Sequence, residues 1–128
     1  MDYKKRFQEC LSEVICNPNF DTALIAEYFS TSYIQHVDGK TLNYEQFVAH
    51  IEHLKQAVIR CSIDFELLEQ HGNTIHSIHI VRVVKNDSSK VRIKVQGQFT
   101  FEHNKLILTN ETTELLEGDE ENASLGWR

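Results

Sequence analysis

The chain has no apolar run longer than a few residues, no stripe of lysine and arginine, no even set of closely spaced cysteines, no internal repeat and no low-complexity linker. A membrane-crossing helix needs roughly 20 consecutive apolar residues, so none is expected. Acidic residues number 19 against 13 basic ones, and the formal charge of -6 gives no electrostatic grip on phosphates; nucleic acid is therefore not an expected partner. Cys10, Cys16 and Cys61 are odd in number and widely spaced, which points to reduced, partly buried thiols and away from a disulfide framework or a zinc site. Where a signal peptide would be apolar, the opening Met1-Asp2-Tyr3-Lys4-Lys5-Arg6 is followed by Gln8, Glu9 and Glu13. The expectation is a cytoplasmic protein with no membrane attachment.

What remains suits one core. A length of 128 residues with 41% hydrophobic content fits a single domain over 1–117, followed by an acidic tail over 118–128 that contains Asp119, Glu120 and Glu121. Tyr3, Phe7, Leu11, Val14 and Ile15 recur at helical spacing and predict a first helix ending near Cys16. Asn17-Pro18 reads as a cap and first position of a second helix, with Phe20, Leu24, Ile25, Tyr28 and Phe29 inward and Ser30-Thr31-Ser32 as its end. Tyr33 to Val37 is a short strand with Ile34 and His36 on one side and Tyr33, Gln35 and Val37 on the other. After a turn at Asp38-Gly39, Asn43 and Gln46 form a capping box, Leu42 and Phe47 are placed for a hydrophobic staple, and Tyr44, Phe47, Val48, Ile51 and Leu54 share the face of a third helix.

From Val58 the apolar period changes to two. Ile59, Cys61, Ile63, Phe65 and Leu67 alternate with polar residues, Ile75 to Val84 forms a second long strand, and Val91 to Phe101 gives the cleanest alternation in the chain. His103-Asn104 supplies a hairpin turn into a last strand from Leu106 to Leu116. Three helices followed by a meander of four long antiparallel strands predict an α+β domain whose helices cover one face of a curved sheet.

With that order of elements, Y-F-S-T-S-Y-I-Q-H-V-D-G-K followed by F-V-A-H-I resembles the NTF2-like superfamily, and within it the SnoaL-like and ketosteroid-isomerase-like proteins, over nearly the whole chain. The resemblance implies an NTF2-like (cystatin-like) cone: three N-terminal helices packed on a curved antiparallel sheet, around a pocket for a small hydrophobic or cyclic molecule. It also implies a homodimer formed through the sheet. Such proteins include isomerases, cyclases, hydrolases, dehydratases, ligand-free scaffolds and transport factors, so the fold fixes no reaction. His36 stands where steroid isomerases carry a carboxylate base, and Tyr28 matches a tyrosine eight residues earlier. Ser12, Glu13 and Cys16 fall near the place of the donor tyrosine, and Gly97 falls where a protonated acid would be. That departure argues against dienolate chemistry, which needs preorganised donors. SnoaL-like cyclases, with a His/Asp acid-base apparatus, are nearer through His36, and Glu111 is the substitute for their acidic partner.

The expected catalytic set is therefore His36, Tyr28 and Glu111, with Ile34, His50 and Phe99 contacting the ligand and with neither metal nor cofactor. Histidine titrates near neutrality, which suits a base, yet a histidine on a short strand also serves as a half-buried residue bonded to backbone. His50-Ile51-Glu52-His53 lacks a third fixed ligand, and His76 and His79 lie on opposite faces of their strand. Glu111 shares a face with Thr109 and Thr113, and that face is either the lining of the cone or a solvated exterior. Arg60, Arg92 and Lys94 facing Asp64 and Glu66 suit cross-strand ion pairs. The Asn-x-Ser/Thr triplets at Asn86, Asn110 and Asn122 carry little meaning without a secretory signal, and Trp127 is either an unanchored aromatic or an anchor on a partner. Two functions follow: a pocket protein with acid-base chemistry of the cyclase or isomerase type, or a noncatalytic dimeric binding or interaction module.

Overall fold

The first stretch of helical periodicity folds in two pieces. Asp2 caps α1 (Tyr3–Cys10) by accepting from the Lys5 N–H, and the chain then widens into a π-helical turn over Leu11–Ile15, closed by the Cys16 N–H donating to Leu11 O at 2.9 Å. The wider turn keeps Leu11, Val14 and Ile15 together on the packed side. The computed structural model describes residues 2–118, so the acidic tail beyond Gly118 and Trp127 lie outside the described residues.

The second helix starts later than Asn17-Pro18 suggests. Asp21 is its N-cap, accepting from the Ala23 and Leu24 N–H groups, and α2 spans Thr22–Tyr28. Asn17 instead closes a short turn by accepting from the Asn19 N–H. Ser30, Thr31 and Ser32 do not end the helix in a loop; they belong to β1 (Phe29–Val37), which turns at Asp38-Gly39 into the short β2 (Lys40–Asn43). Gly39 has φ +82, a left-handed conformation that glycine adopts without cost. The capping box is realised: Asn43 Oδ1 accepts from the Gln46 N–H, and the Gln46 side chain accepts from the Asn43 N–H, both at 2.9 Å. It starts α3 (Tyr44–Ala57), whose buried face carries Phe47, Ile51 and Leu54.

Four long strands follow, β3 (Val58–His71), β4 (Thr74–Lys85), β5 (Lys90–Glu102) and β6 (Lys105–Glu117), and each pairs with the next in antiparallel register. The sheet has the order β2-β1-β6-β5-β4-β3. The expected antiparallel sheet is in fact mixed, because β1 lies parallel to β6. β1 thus enters the sheet beside the last strand, β6, rather than beside β3, its successor among the long strands. The α+β cone itself is as expected, with the helices covering the concave face.

The pleat places Cys61, Ile63 and Phe65 of β3 with Ile75, Ser77, His79, Val81 and Val83 of β4 and Val91, Ile93, Val95 and Phe99 of β5 on the concave side. Register shifts in β3 between Val58 and Arg60 and between Phe65 and Leu67 break the alternation at both ends, leaving Ile59 and Leu67 exposed and bringing Leu68 inward. A further shift in β6 turns Leu106 into the core on the same side as Thr109. On the convex side Lys94 pairs with Glu66 at 3.6 Å as expected, but Asp64 is taken by Arg82 and Arg92 pairs with Glu117 at 3.2 Å, so Asp64 and Arg92 take partners other than the expected ones.

The cysteine expectation is corrected. Cys16 and Cys61 are joined in a disulfide with their Cα atoms 4.8 Å apart, and Cys10 is left as a buried thiol. Spacing along the chain gave no sign of this pair, because only the packing of the π-helical turn against β3 brings the two residues together. The bond closes a loop over a separation of 45 residues, and such a loop stabilises by about 4 kcal/mol on chain-entropy grounds. Reduction with excess dithiothreitol, or Cys61→Ser, is expected to lower the unfolding free energy by about 2–4 kcal/mol in urea melts. Coincident melts of oxidised and reduced protein would show that the bond does not form in solution.

Candidate functional site

The concave side encloses a cavity of about 60 Å³, several times the space one water requires. Its walls are aliphatic and aromatic, with rings from Phe7 of α1, Phe29 of β1, Phe47 of α3 and Phe99 of β5. Phe7 and Phe99 have centroids 4.5 Å apart, as do Phe29 and Phe47. A second, larger groove of about 510 Å³ runs past the Cys16–Cys61 disulfide and shares Ile15, Leu54 and Val81 with the inner cavity.

One polar cluster interrupts the apolar lining. The parallel register sets Gln35 of β1 beside Thr109 of β6, and Val37 beside Glu111. Gln35 Nε2 and Thr109 Oγ1 both donate to Glu111 Oε2 at 2.8 Å, and the Tyr33 hydroxyl lies 2.9 Å from Thr109 Oγ1. The threonine hydrogen is committed to the carboxylate, so Tyr33 is the donor in its own bond and the four groups form a directed chain. Across the sheet Glu111 faces Gly97 of β5. A Cβ at Gly97 would stand 2.5 Å from Asn110 O and 3.1 Å from Glu111 Cγ, so the bare glycine is what lets the glutamate side chain fold over the strand.

Burial governs the charge of this cluster. Desolvation pushes the Glu111 carboxyl up to about 7; the bonds from Gln35 and Thr109 pull it down, and the Asp38 charge adds a rise. Burial likewise holds His79 down to about 4 and therefore neutral, its ring among Phe7, Phe65 and Phe99 and its Nδ1 2.8 Å from Ser77 Oγ. Tyr33 is raised well above the ordinary phenol value, chiefly by burial. The site is thus a neutral, apolar-walled chamber with one carboxyl poised near neutral pH.

Of the residues singled out in the sequence, Glu111 and Phe99 line this chamber together. The alternation of β1 is real, but the opposite face turns inward: Tyr33, Gln35 and Val37 are buried, and Ile34 and His36 point to the convex side. His36 is exposed, with Nδ1 3.0 Å from Thr41 Oγ1 of β2. Tyr28 is buried with its ring under the Arg6 guanidinium, 4.1 Å from the centroid, and His50 is buried on α3; neither is among the described residues that line the cavity. Among the described residues no group of three histidine, cysteine, aspartate or glutamate side chains has the arrangement to hold a metal ion. Sequence reasoning passed over Gln35, Thr109, Tyr33 and His79. Gln35 left a trace, as the polar member of the otherwise apolar trio Tyr33, Gln35 and Val37.

No known family model matches the chain. An uncharacterized protein of Schizosaccharomyces pombe is 27% identical over 106 residues, covering 83% of this chain and 82% of that one. A polyketide-cyclase candidate from Acidithiobacillus ferrooxidans superposes with a TM-score of 0.70 at 12% identity, covering 95% of this chain and 91% of its own. The protein named "Rd1NTF2_04 with long sheet" superposes with a TM-score of 0.66 at 17% identity, covering 84% and 98%. The fold is NTF2-like. At these identities the structural likeness establishes the cone and leaves its chemistry to the residues inside it.

The raised carboxyl has a consequence for stability. Glutamate in the unfolded chain ionises near its ordinary 4.5 and Glu111 in the fold near 7, so between these values the folded state holds a proton that the unfolded state has lost. Stability is expected to fall as pH rises from about 4.5 to about 7 and to level off above that. Glu111→Gln should remove this fall from urea melts collected across the range. Equal pH slopes in the two proteins would place the Glu111 carboxyl in an ordinary aqueous setting.

Proposed function

We propose that the cone binds a small, largely apolar molecule and that Glu111 exchanges a proton with it, as in acid-base chemistry of the cyclase or isomerase type. The observation that carries this reading is the carboxyl poised near 7 inside an apolar-walled cavity, since a general acid or base works best when its pKa lies near the working pH. Gln35 and Thr109 hold the carboxyl in place, and neutral His79 lies in the same lining. The base role expected of His36 passes to Glu111, because the histidine is on the convex side. The likeness to a polyketide-cyclase candidate supports a pocket for a cyclic molecule. The small inner volume favours the second reading, a noncatalytic binding or interaction module, in which Glu111 is a buried hydrogen-bond acceptor only.

Ligands found by a thermal-shift screen separate the two. Glu111→Gln is expected to keep ligand binding within a few-fold while slowing turnover by about 10²- to 10⁴-fold, whereas His36→Asn leaves turnover within about twofold. Ligands that bind wild type tightly but are never transformed would establish the module instead.

The same reading includes a homodimer through the convex face of the sheet. Ile78 of β4 lies on that face opposite the exposed Leu67 of β3, next to the Lys94–Glu66 and Arg82–Asp64 pairs. Such a surface, apolar at its centre and charged at its rim, suits a self-complementary contact. Sedimentation at micromolar concentration is expected to give twice the chain mass, with Ile78→Glu returning the monomer; a monomer at every concentration tested would exclude it.

A further inference from the structure

The larger groove of about 510 Å³ is distinct from the Glu111 chamber: the two share Ile15, Leu54 and Val81, but none of Tyr33, Gln35, His79, Thr109 and Glu111 lines the groove. Its size suits a small organic molecule. The apolar part of its lining comes from α3, the π-helical turn and the adjoining ends of β3, β4 and β5, with Leu54, Val81, Val83 and Val91 each less than a tenth exposed. The register shift after Val58 adds Ile59, which is 52% exposed.

Charge on this groove runs against the charge of the chain. Among the described residues that line it, Lys55, Arg60, Arg82, Lys90 and Arg92 are cationic and Glu117 alone is acidic, whereas the whole chain has a formal charge of -6. Arg82 of β4 stands directly opposite Arg92 of β5, and one pleat further along the same face Val84 lies between Arg60 and Lys90. Like charges opposite one another across a sheet are unfavourable. Asp64 and Glu117 offset Arg82 and Arg92, but Arg60 and Lys90 are exposed and have no carboxylate partner among the described residues. Lys55 is half-buried, and its ammonium donates to Val14 O and Ile15 O at 2.7 Å, carbonyls that leave its charge without a counter-ion. Burial holds it down to about 8.

We propose that this groove binds a single amphiphilic carboxylate, a fatty-acid-like molecule whose hydrocarbon chain covers Ile59 and the apolar floor and whose carboxylate accepts from Arg60 and Lys90. Arg60 and Lys90 stand two strands apart, about 10 Å at the usual strand spacing, a gap that two long side chains close around one carboxylate. Lys55 adds a third positive charge from the helix side. An inorganic anion would leave the apolar floor uncovered, and a neutral hydrocarbon would leave the cations uncompensated. The buried floor lies in a recess that a single chain enters and a flat membrane surface does not.

Octanoate and octan-1-ol test this, since they share a chain and only octanoate is charged. NMR titration of the full chain is expected to place the amide shifts of both on Ile59, Val83 and Val91. The octanoate-to-octanol affinity ratio is expected to fall by about tenfold when Arg60→Glu and Lys90→Glu are combined, as for two exposed charge pairs lost. If that variant does not fold, a salt series on wild type decides, because the same ratio then falls as salt is raised. An unchanged ratio, shifts confined to the Glu111 chamber, or no binding of octanoate at millimolar concentration would overturn the inference and leave the reading of Glu111 standing. So would flotation with anionic vesicles without octanoate binding, which would assign the cations to a membrane surface. Octanoate binding that appears only once residues 119–128 are removed would assign them to the chain's own acidic segment and likewise overturn it.

Discussion

The bond between Gln35 and Glu111 spans the one parallel seam in the sheet, and the polar cluster depends on that seam. Parallel pairing of β1 with β6 puts Gln35 beside Thr109 and Val37 beside Glu111. Were β1 antiparallel to β6, or displaced by one residue, the inward residues of the two strands would no longer meet in this order. The carboxylate would then lose the Gln35 donor and keep only Thr109, its neighbour on β6. The two hydrogen bonds oppose the desolvation that raises the carboxyl, and the value near 7 is the balance of those effects.

The extent to which this was legible in the sequence follows from what each signal is. Apolar period reports that one face of an element is buried, and it placed the third helix and the four long strands, while the second helix proved shorter than the run from Phe20 to Phe29 suggested. It does not report which face when both sides of a short strand are mixed. Tyr33 to Val37 offers Tyr-Gln-Val on one side and Ile-His on the other, and a five-residue strand gives too few positions to weigh them. The histidine drew attention because of its chemistry, while burial is decided by the larger set, in which Tyr33 and Val37 are almost wholly enclosed. The capping box at Asn43 and Gln46 was readable because its hydrogen bonds are local. The Cys16–Cys61 pair, the parallel seam and the register shifts in β3 and β6 were not, since each is settled by a neighbour far away in sequence.

Tyr28 and Arg6 show how a residue expected in the site can serve the frame. Arg6 of α1 stacks on the Tyr28 ring, donates through Nη2 to Glu27 O at 2.8 Å and through Nε to Asn104 O at 3.0 Å. One side chain thereby ties α1 to the end of α2 and to the turn between β5 and β6. Lys55 does a similar task at the other end, donating to Val14 O and Ile15 O at 2.7 Å, where the π-helical turn leaves carbonyls in need of partners. Both cations hold the helices at a fixed angle over the sheet, and Phe7, Leu11, Ile15 and Leu54 reach the cavity wall from the helices so held.

The sheet order leaves β3, 14 residues long, at an outer edge with one side of its backbone unpaired by another strand. A long free edge invites a foreign strand to add to it, which is a common route to aggregation. Here Arg60, Asp64, Glu66 and Glu69 stand exposed along it, and the two register shifts bend it away from a straight template. An incoming strand would have to bury these charges and match an irregular spacing of donors and acceptors. The chain can therefore carry a deep curved sheet without closing it into a barrel, and the unclosed side remains open as the approach to the groove beside the cone.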